Sequence, residues 1–129
     1  MDRWIIARLN ELVSKGTKSL DNYKVFESSR AIRDFINDFS TWYLRRSRER
    51  FKSEDKNVKN EALATTRFVF LELVKYMAPF TPFFAEEVYQ KLKEVNSPES
   101  VHLCSWPDER IIDEELLEDM EKVREVVSK

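Results

Sequence analysis

Glycine is the residue that this sequence most lacks. It occurs once among 129 residues, where an average usage of ~7% would give roughly nine. Because glycine supplies the positive-φ corners of tight turns, its scarcity argues against a β-sandwich, a barrel or a nucleotide-binding fold with a glycine-rich phosphate loop. The 42% of hydrophobic residues are enough for one core without a covalent staple. The composition therefore predicts long helices joined by few connections.

Cysteine and histidine are equally scarce, with Cys104 and His102 as their only representatives. One cysteine excludes an intramolecular disulfide and favours a reducing compartment, and the pair cannot complete a Cys/His zinc site. Since alternate residues of an extended piece point to opposite faces, we expect no catalytic pair there either. No apolar run is long enough to span a membrane and the start lacks the layout of a signal peptide. We expect a cytoplasmic protein without metal or membrane contact.

The net charge of −2 conceals an uneven distribution. Residues 1–52 carry a net charge of +5, whereas residues 53–129 carry −7. Such asymmetry is typical of a protein with one face for an anion, but it also fits two halves that neutralise each other in a packed bundle. Charge alone leaves both interpretations open.

Apolar residues repeat at helical spacing through most of the chain. The predicted helices run over about 4–20, over about 25–51, from the polar loop that follows to about 77, over about 82–95 and from about 113 onward. A polar loop is expected over 53–60, with a cap at Asp55 or Asn57. The third helix should stop before Pro79, and Pro82 should open the fourth. We predict one domain over 1–129: an all-α bundle of about five helices, with a short extended strap at 101–106 before the last helix.

The densest chemical feature is the end of the second predicted helix, over residues 42–52. Its cations and aromatic residues are Arg45, Arg46, Arg48, Arg50, Lys52, Trp42, Tyr43 and Phe51. At 100° per residue, Arg45, Arg48 and Lys52 point away from the apolar stripe, whereas Arg46 and Arg50 continue that stripe. Guanidinium groups suit phosphates, and exposed rings can stack on unpaired bases, as in RNA loops.

A structural interpretation of the same residues stays open. Arg46 and Arg50 would then pair with acids such as Glu72, Glu86 or Glu87. The outward cations would form a solvated face that also complements the helix dipole.

Four stretches resemble the anticodon-binding helical domain of class I aminoacyl-tRNA synthetases, in the same order. They are DRWIIARLN at 2–10, FSTWYLRRSRERF at 39–51, MAPFTPFFAEEVY at 77–89 and SVHLCSWP at 100–107. The second stretch is the most selective and is most similar to the isoleucyl branch. The resemblance implies a helical bundle that binds the anticodon arm of tRNA, and it implies isoleucine tRNA as the partner. It also implies that ATP, magnesium and catalysis belong to a separate Rossmann domain of a longer chain.

The resemblance also suggests roles for individual residues. As tRNA contacts it implies Arg45, Arg46, Arg48, Arg50, Phe51 and Lys52. Trp42 and Tyr43 would hold their helix in place, and Phe51 is the better stacking candidate. Lys52 stands where the family often has a tryptophan. The segment Lys15-Gly16-Thr17-Lys18-Ser19 loosely matches the family's catalytic lysine loop, but it lies on a predicted helix with no ATP-binding domain around it.

Because the sequence stops within a helical pattern, we expect a fragment of a monomeric synthetase with catalytic and C-terminal domains elsewhere in the parent chain. Two alternatives remain at this stage. One is the same domain from a valyl or leucyl enzyme, and the other is a helical adaptor that binds another protein.

Overall fold

The computed structural model describes all residues, Met1–Lys129, and contains helices but no strand. The α-helices are α1 (Asp2–Asp21), α2 (Val25–Asp38), α3 (Arg48–Phe51), α4 (Lys56–Met77), α5 (Pro82–Leu92) and α6 (Glu114–Val127). The all-α prediction is confirmed, with six α-helices because the second predicted helix is divided. Contacts group the chain into two units, residues 1–45 with 109–129 and residues 46–108. The prediction of a single domain over 1–129 stays a prediction.

In the first unit, α1 packs against α2 around the only glycine. Gly16 is buried, and its carbonyl oxygen accepts a 2.8 Å hydrogen bond from the hydroxyl of Ser28, which is itself fully buried. A residue without Cβ lets the backbone of α1 come this close to α2. The single glycine thus serves helix packing instead of a turn.

The connection between α1 and α2 places a bulky residue where glycine is usual. Tyr23 has φ of 60°, and its N–H donates to Leu20 O at 3.0 Å while Lys24 N–H donates to Ser19 O at 2.7 Å. This pair of bonds is a Schellman motif, in which the left-handed position is most often glycine. The Tyr23 side chain is 92% exposed.

Helix α2 continues directly into a π-helix, Phe39–Leu44. Three rings four residues apart stack along it, with centroid distances of 6.0 Å from Phe35 to Phe39 and 5.7 Å from Phe39 to Tyr43. The Tyr43 hydroxyl donates to the Asp2 carboxylate at 2.9 Å. These contacts fasten the π-helix to α1 within the first unit.

Helix α6 packs against α1 without burying any of its own residues. Its main polar tie is Arg124, which donates to the Asp38 carboxylate at 2.7 Å, and Arg8 donates to the same carboxylate at 2.9 Å. Asp113 caps the helix by accepting from Leu116 N–H at 3.2 Å. The carboxylate of Asp38, 9% exposed, is thus held by two guanidinium groups from separate helices.

The second unit begins at Arg46, and its long helix is capped by Asp55, one of the two predicted caps. Asp55 accepts a hydrogen bond from Asn57 N–H at 2.9 Å, so α4 begins at Lys56. The predicted loop at 53–60 is therefore wrong from residue 56 onward, because the Asp55 cap satisfies an amide of the first turn. Helix α4 ends at Met77 and α5 opens with Pro82, as predicted. Helix α5 ends at Leu92, three residues before the predicted end.

The predicted extended strap opens with a 3₁₀ turn, Val101–Leu103, so the prediction is wrong for these three residues. The Glu86 carboxylate accepts from Ser100 Oγ and from Val101 N–H, both at 2.9 Å. These bonds to one acceptor curl the chain into a turn. The hydrogen bond from Gln90 and those from Val101 and Ser100 outweigh desolvation and lower the pKa of Glu86 below its usual value.

Candidate nucleic-acid interface

The cationic segment, Arg45–Lys52, follows the π-helix, and this changes which side chains face inward. Phe39, Tyr43 and Ser47 are all buried, at a regular spacing of four. A π-helix has more residues per turn than the 3.6 of an α-helix, so the inward position moves from residue 46 to residue 47. Arg46, which would continue the apolar stripe in an ideal α-helix, is exposed. Arg50 is half-buried.

Ser47 takes that inward position, and its side chain is left without a hydrogen bond. It is fully buried, and its hydroxyl oxygen has no hydrogen-bond partner. Its backbone carbonyl accepts from Phe51 N–H at 3.1 Å, which starts the short helix α3. A small side chain here lets α3 turn its cations outward while α3 packs against α4.

The outward cations of the segment have no acidic partner. Arg45, the last residue of the first unit, is exposed and forms no ion pair. In the second unit, Arg48 and Lys52 are exposed and likewise unpaired, although Glu49 lies next to Arg48 in the sequence. The predicted outward direction of these three side chains is confirmed. Their positive charge is available to an external anion.

Four lysines elsewhere in the chain are paired with carboxylates. Lys15, Lys75, Lys91 and Lys122 each lie within 2.6–3.3 Å of a carboxylate three or four residues away on the same helix. Lys18 and Lys24 are exposed and form no ion pair either, so what distinguishes the cationic segment is that its unpaired cations follow one another closely in the sequence.

Two of the three acids considered as partners for Arg46 and Arg50 are engaged elsewhere. Glu86 accepts from the turn at Ser100 and Val101, and Glu87 pairs with Lys91 at 3.1 Å. Glu72 pairs with Lys75 at 2.7 Å. The purely structural interpretation of the arginines thus finds no support at Glu86 or Glu87.

The three aromatic residues of the stretch differ in exposure. Tyr43 is buried and Trp42 is half-buried, with the Arg124 guanidinium 5.1 Å from the Trp42 ring centroid. Their contacts lie within the first unit, which suits the supporting role suggested for them. Phe51 is half-buried on α3, so part of its ring faces solvent. Its role in stacking stays a prediction.

Sequence reasoning missed two lysines that follow the cationic segment. Lys56 and Lys59 are exposed and form no ion pair. The incorrect loop at 53–60 hid them, because only a helix places residues three apart on one face. The signal was present in the sequence as a Lys-x-x-Lys spacing directly after a capping aspartate.

The first unit contains a cleft of about 660 Å³ with a mixed charged and aromatic lining. Arg124 lies within it, 5.8 Å from the ring centroid of Trp4, and is bonded to Asp38. Burial raises the pKa of Glu11 at its edge, but hydrogen bonds and the charges of Lys15 and Arg8 outweigh this and lower the pKa overall. Arg8, Glu11, Lys15, Asp38 and Arg124 are paired among themselves in the cleft, and the pairs at Asp38 join α1, α2 and α6.

The remaining chemical candidates lie in structural roles. His102 is exposed, and the Cys104 thiol lies 3.7 Å from the Ser100 carbonyl oxygen. The segment at 15–19 is a regular part of α1, with Lys15 paired to Glu11 at 2.6 Å. No group of three or more His, Cys, Asp or Glu side chains is arranged to hold a metal ion. None of the helices combines the length and the apolar character needed to cross a membrane.

Together these features define a class: a small all-helical domain with an arginine-rich surface segment suited to a polyanion. The family follows from comparison with known proteins. Residues 2–129 match the family "Anticodon-binding domain of tRNA ligase", and the chain belongs to this family. The resemblance noted from the four sequence stretches is confirmed.

Several relatives are isoleucine–tRNA ligases. The chain is 41% identical to the one from Clostridium novyi over 133 residues and 44% identical to the one from Dehalococcoides mccartyi over 134 residues. The corresponding ligase from Chlamydia muridarum is 41% identical over 133 residues. These matches cover 98–99% of this chain but only 13% of each relative. The chain thus spans about an eighth of the length of the relatives that it matches.

Proposed function

We propose that this chain binds the anticodon arm of isoleucine tRNA as the anticodon-binding domain of an isoleucine–tRNA ligase. The observation that carries the proposal is the set of exposed, unpaired cations on a chain of the anticodon-binding family. Guanidinium groups form paired hydrogen bonds to phosphate oxygens, and a partly exposed ring beside them suits an unstacked base.

The predicted contacts divide by chemistry. Arg48 and Lys52, exposed in the second unit, and Arg45, exposed in the first, are assigned to phosphates. Arg46 is exposed and is assigned to phosphates too, although it is not counted among the unpaired cations, while the half-buried Arg50 and Phe51 are assigned to the inner edge of the surface. Phosphate contacts position RNA, whereas discrimination between tRNAs requires contacts to bases.

The parent chain implied by this proposal performs the ligase reaction elsewhere. Its catalytic domain binds ATP and magnesium, and further C-terminal domains complete recognition of the anticodon. The length of the relatives supports a longer parent chain. Preference for isoleucine tRNA over valine or leucine tRNA, a monomeric state and a cytoplasmic location are parts of the same proposal.

Binding of the 129-residue chain to purified isoleucine tRNA and valine tRNA, measured by fluorescence anisotropy from 50 to 200 mM salt, tests the proposal. We expect affinity to fall steeply with salt, because neutralised phosphates release counterions. Replacing Arg48 by alanine should weaken binding about five- to tenfold and reduce the salt slope by about one. The melting temperature should stay nearly unchanged, because Arg48 is exposed and unpaired.

Arg33→Ala is the matched control, since Arg33 is an exposed arginine on α2 with an ion-pair distance of 4.0 Å to Asp34. It changes the net charge equally, so it should weaken binding much less than Arg48→Ala. Equal losses for the two variants would contradict a local site. No binding to either tRNA at 50 mM salt would overturn the proposed function, and equal affinities for the two tRNAs would overturn only the preference for isoleucine tRNA.

A further inference from the structure

The first two turns of α4 carry positive charge that the folded chain does not use. Lys56 is the first residue of the helix and Lys59 follows three residues later. Both side chains are exposed and form no ion pair. Asp55, four residues before Lys59, accepts a hydrogen bond from Asn57 N–H instead.

This arrangement is unfavourable for the helix itself. The N-terminus of a helix favours acidic side chains, but the first turn of α4 contains none and begins with a lysine. Lys56 and Lys59 are also a like-charge pair at a spacing of three, which destabilises a helix slightly. Asp55 at the N-cap supplies an acidic side chain to this end of the helix, and neither lysine makes a side-chain hydrogen bond or ion pair that stabilises α4, so their charge is available to an external anion.

The chain brings these lysines close to the cationic segment within the second unit. Lys52 caps the C-terminus of α3, and only Ser53, Glu54 and Asp55 separate it from Lys56. The corner is held by a 3.1 Å hydrogen bond from Asp55 N–H to Ser53 Oγ, and α3 packs against α4. Three exposed lysines, Lys52, Lys56 and Lys59, thus follow one another around a short, fastened corner.

Resting on the proposed function, we propose that Lys56 and Lys59 extend the tRNA-binding surface from α3 onto α4 by contacting backbone phosphates. The Asp55 carboxylate already satisfies an amide of the first turn, so the lysine ammonium groups are the binding groups. Ammonium groups on flexible stems neutralise phosphates without reading sequence. The two lysines therefore contribute affinity and salt dependence but no preference between tRNAs.

The test compares Lys56→Ala/Lys59→Ala with Lys18→Ala/Lys24→Ala in the 129-residue chain. Lys18 and Lys24 are also exposed and unpaired, but they lie in the first unit, Lys18 in the last turn of α1 and Lys24 directly before α2. Both variants lose two charges. Affinities for isoleucine tRNA and valine tRNA are measured between 50 mM and 1 M salt, and circular dichroism confirms that each variant is folded.

We expect the Lys56/Lys59 variant to lose at least about tenfold in affinity at 50 mM salt and to lower the salt slope by about 1.4–1.8, with the difference shrinking toward 1 M. The loss should be equal for both tRNAs. Lys56→Arg/Lys59→Arg should restore affinity.

Any one of three results would overturn the inference: an affinity of the Lys56/Lys59 variant equal to that of the Lys18/Lys24 control, a loss of affinity that does not depend on salt, or a changed preference between the two tRNAs. Failure of the unaltered chain to bind either tRNA would overturn the proposed function and this extension with it. Binding by the unaltered chain with an unchanged slope in the Lys56/Lys59 variant would overturn the extension alone.

Discussion

Replacing Tyr23 with glycine should stabilise this protein, although it removes a large aromatic side chain. Tyr23 has φ of 60°, in the left-handed region, where a residue with Cβ is disfavoured by about 1–2 kcal/mol. Its ring is 92% exposed, so little apolar burial is lost with it. The backbone bonds of the Schellman motif, from Tyr23 N–H to Leu20 O and from Lys24 N–H to Ser19 O, remain available to glycine.

The expected gain in the free energy of unfolding is the energetic penalty of the left-handed conformation minus the entropic cost of the extra freedom that glycine has in the unfolded chain. That freedom costs roughly 0.4–1 kcal/mol. The net stabilisation is therefore about 0.5–1 kcal/mol. With an unfolding entropy of about 2.1 cal/mol/K per residue, this corresponds to a rise of about 2–4 °C in the melting temperature.

The assay is thermal and urea unfolding of the 129-residue chain followed by circular dichroism, with Tyr23→Ala as the control. Alanine removes the ring but keeps a Cβ, so its free energy of unfolding should stay within about 0.5 kcal/mol of the unaltered chain. Destabilisation by Tyr23→Gly would refute the reasoning, since it would show that the ring makes stabilising contacts. An equal gain from both variants would also refute it, because the gain would then come from removing the ring and not from the backbone.

Two further predictions concern buried and hydrogen-bonded groups. Ser47→Ala should stabilise the chain by up to about 1 kcal/mol, because the buried Ser47 hydroxyl has no partner. Ser28→Ala should destabilise it by about 1–2 kcal/mol, because it removes the hydrogen bond to Gly16 O. Urea unfolding of both variants checks these values, and destabilisation by Ser47→Ala would show that the Ser47 hydroxyl is hydrogen-bonded. Since the folded-state pKa of Glu86 is lowered, its contribution to stability is present above the ordinary value of 4.5 and is lost as the pH falls through the lowered pKa. The free energy of unfolding of the unaltered chain should therefore fall more steeply in this acidic range than that of Glu86→Gln, whose pH profile should be flatter; identical profiles for the two chains would contradict this.

Much of the helical organisation was predictable from local sequence signals. The scarcity of glycine and the helical spacing of apolar residues indicated an all-α chain, and the structure confirms this. Pro79 and Pro82 marked the end of α4 and the start of α5, because proline restricts the residue before it and suits the first helical position. These effects act over a few residues, so they can be inferred without knowledge of the tertiary structure.

The predictions were wrong where the same local pattern of residues is compatible with two different backbone structures. The polar residues at 53–60 resemble a loop in composition, but the Asp55 side chain caps α4 and turns their second half into helix. The strap failed similarly, since the turn at Val101 depends on the Glu86 carboxylate from another helix. A hydrogen-bond acceptor that is distant in the sequence cannot be inferred from the spacing of the residues around the turn.

The sequence by itself determined the helical class, the position of the cationic segment and the resemblance to anticodon-binding domains, because these depend on composition and on contiguous residues. The outward direction of Arg45, Arg48 and Lys52 followed from helical spacing as well. Only the tertiary structure decided that Ser47, and not Arg46, takes the inward position after the stacked rings of the π-helix. An ideal helical repeat cannot anticipate a change in residues per turn, because that change is set by side chains packing against another helix.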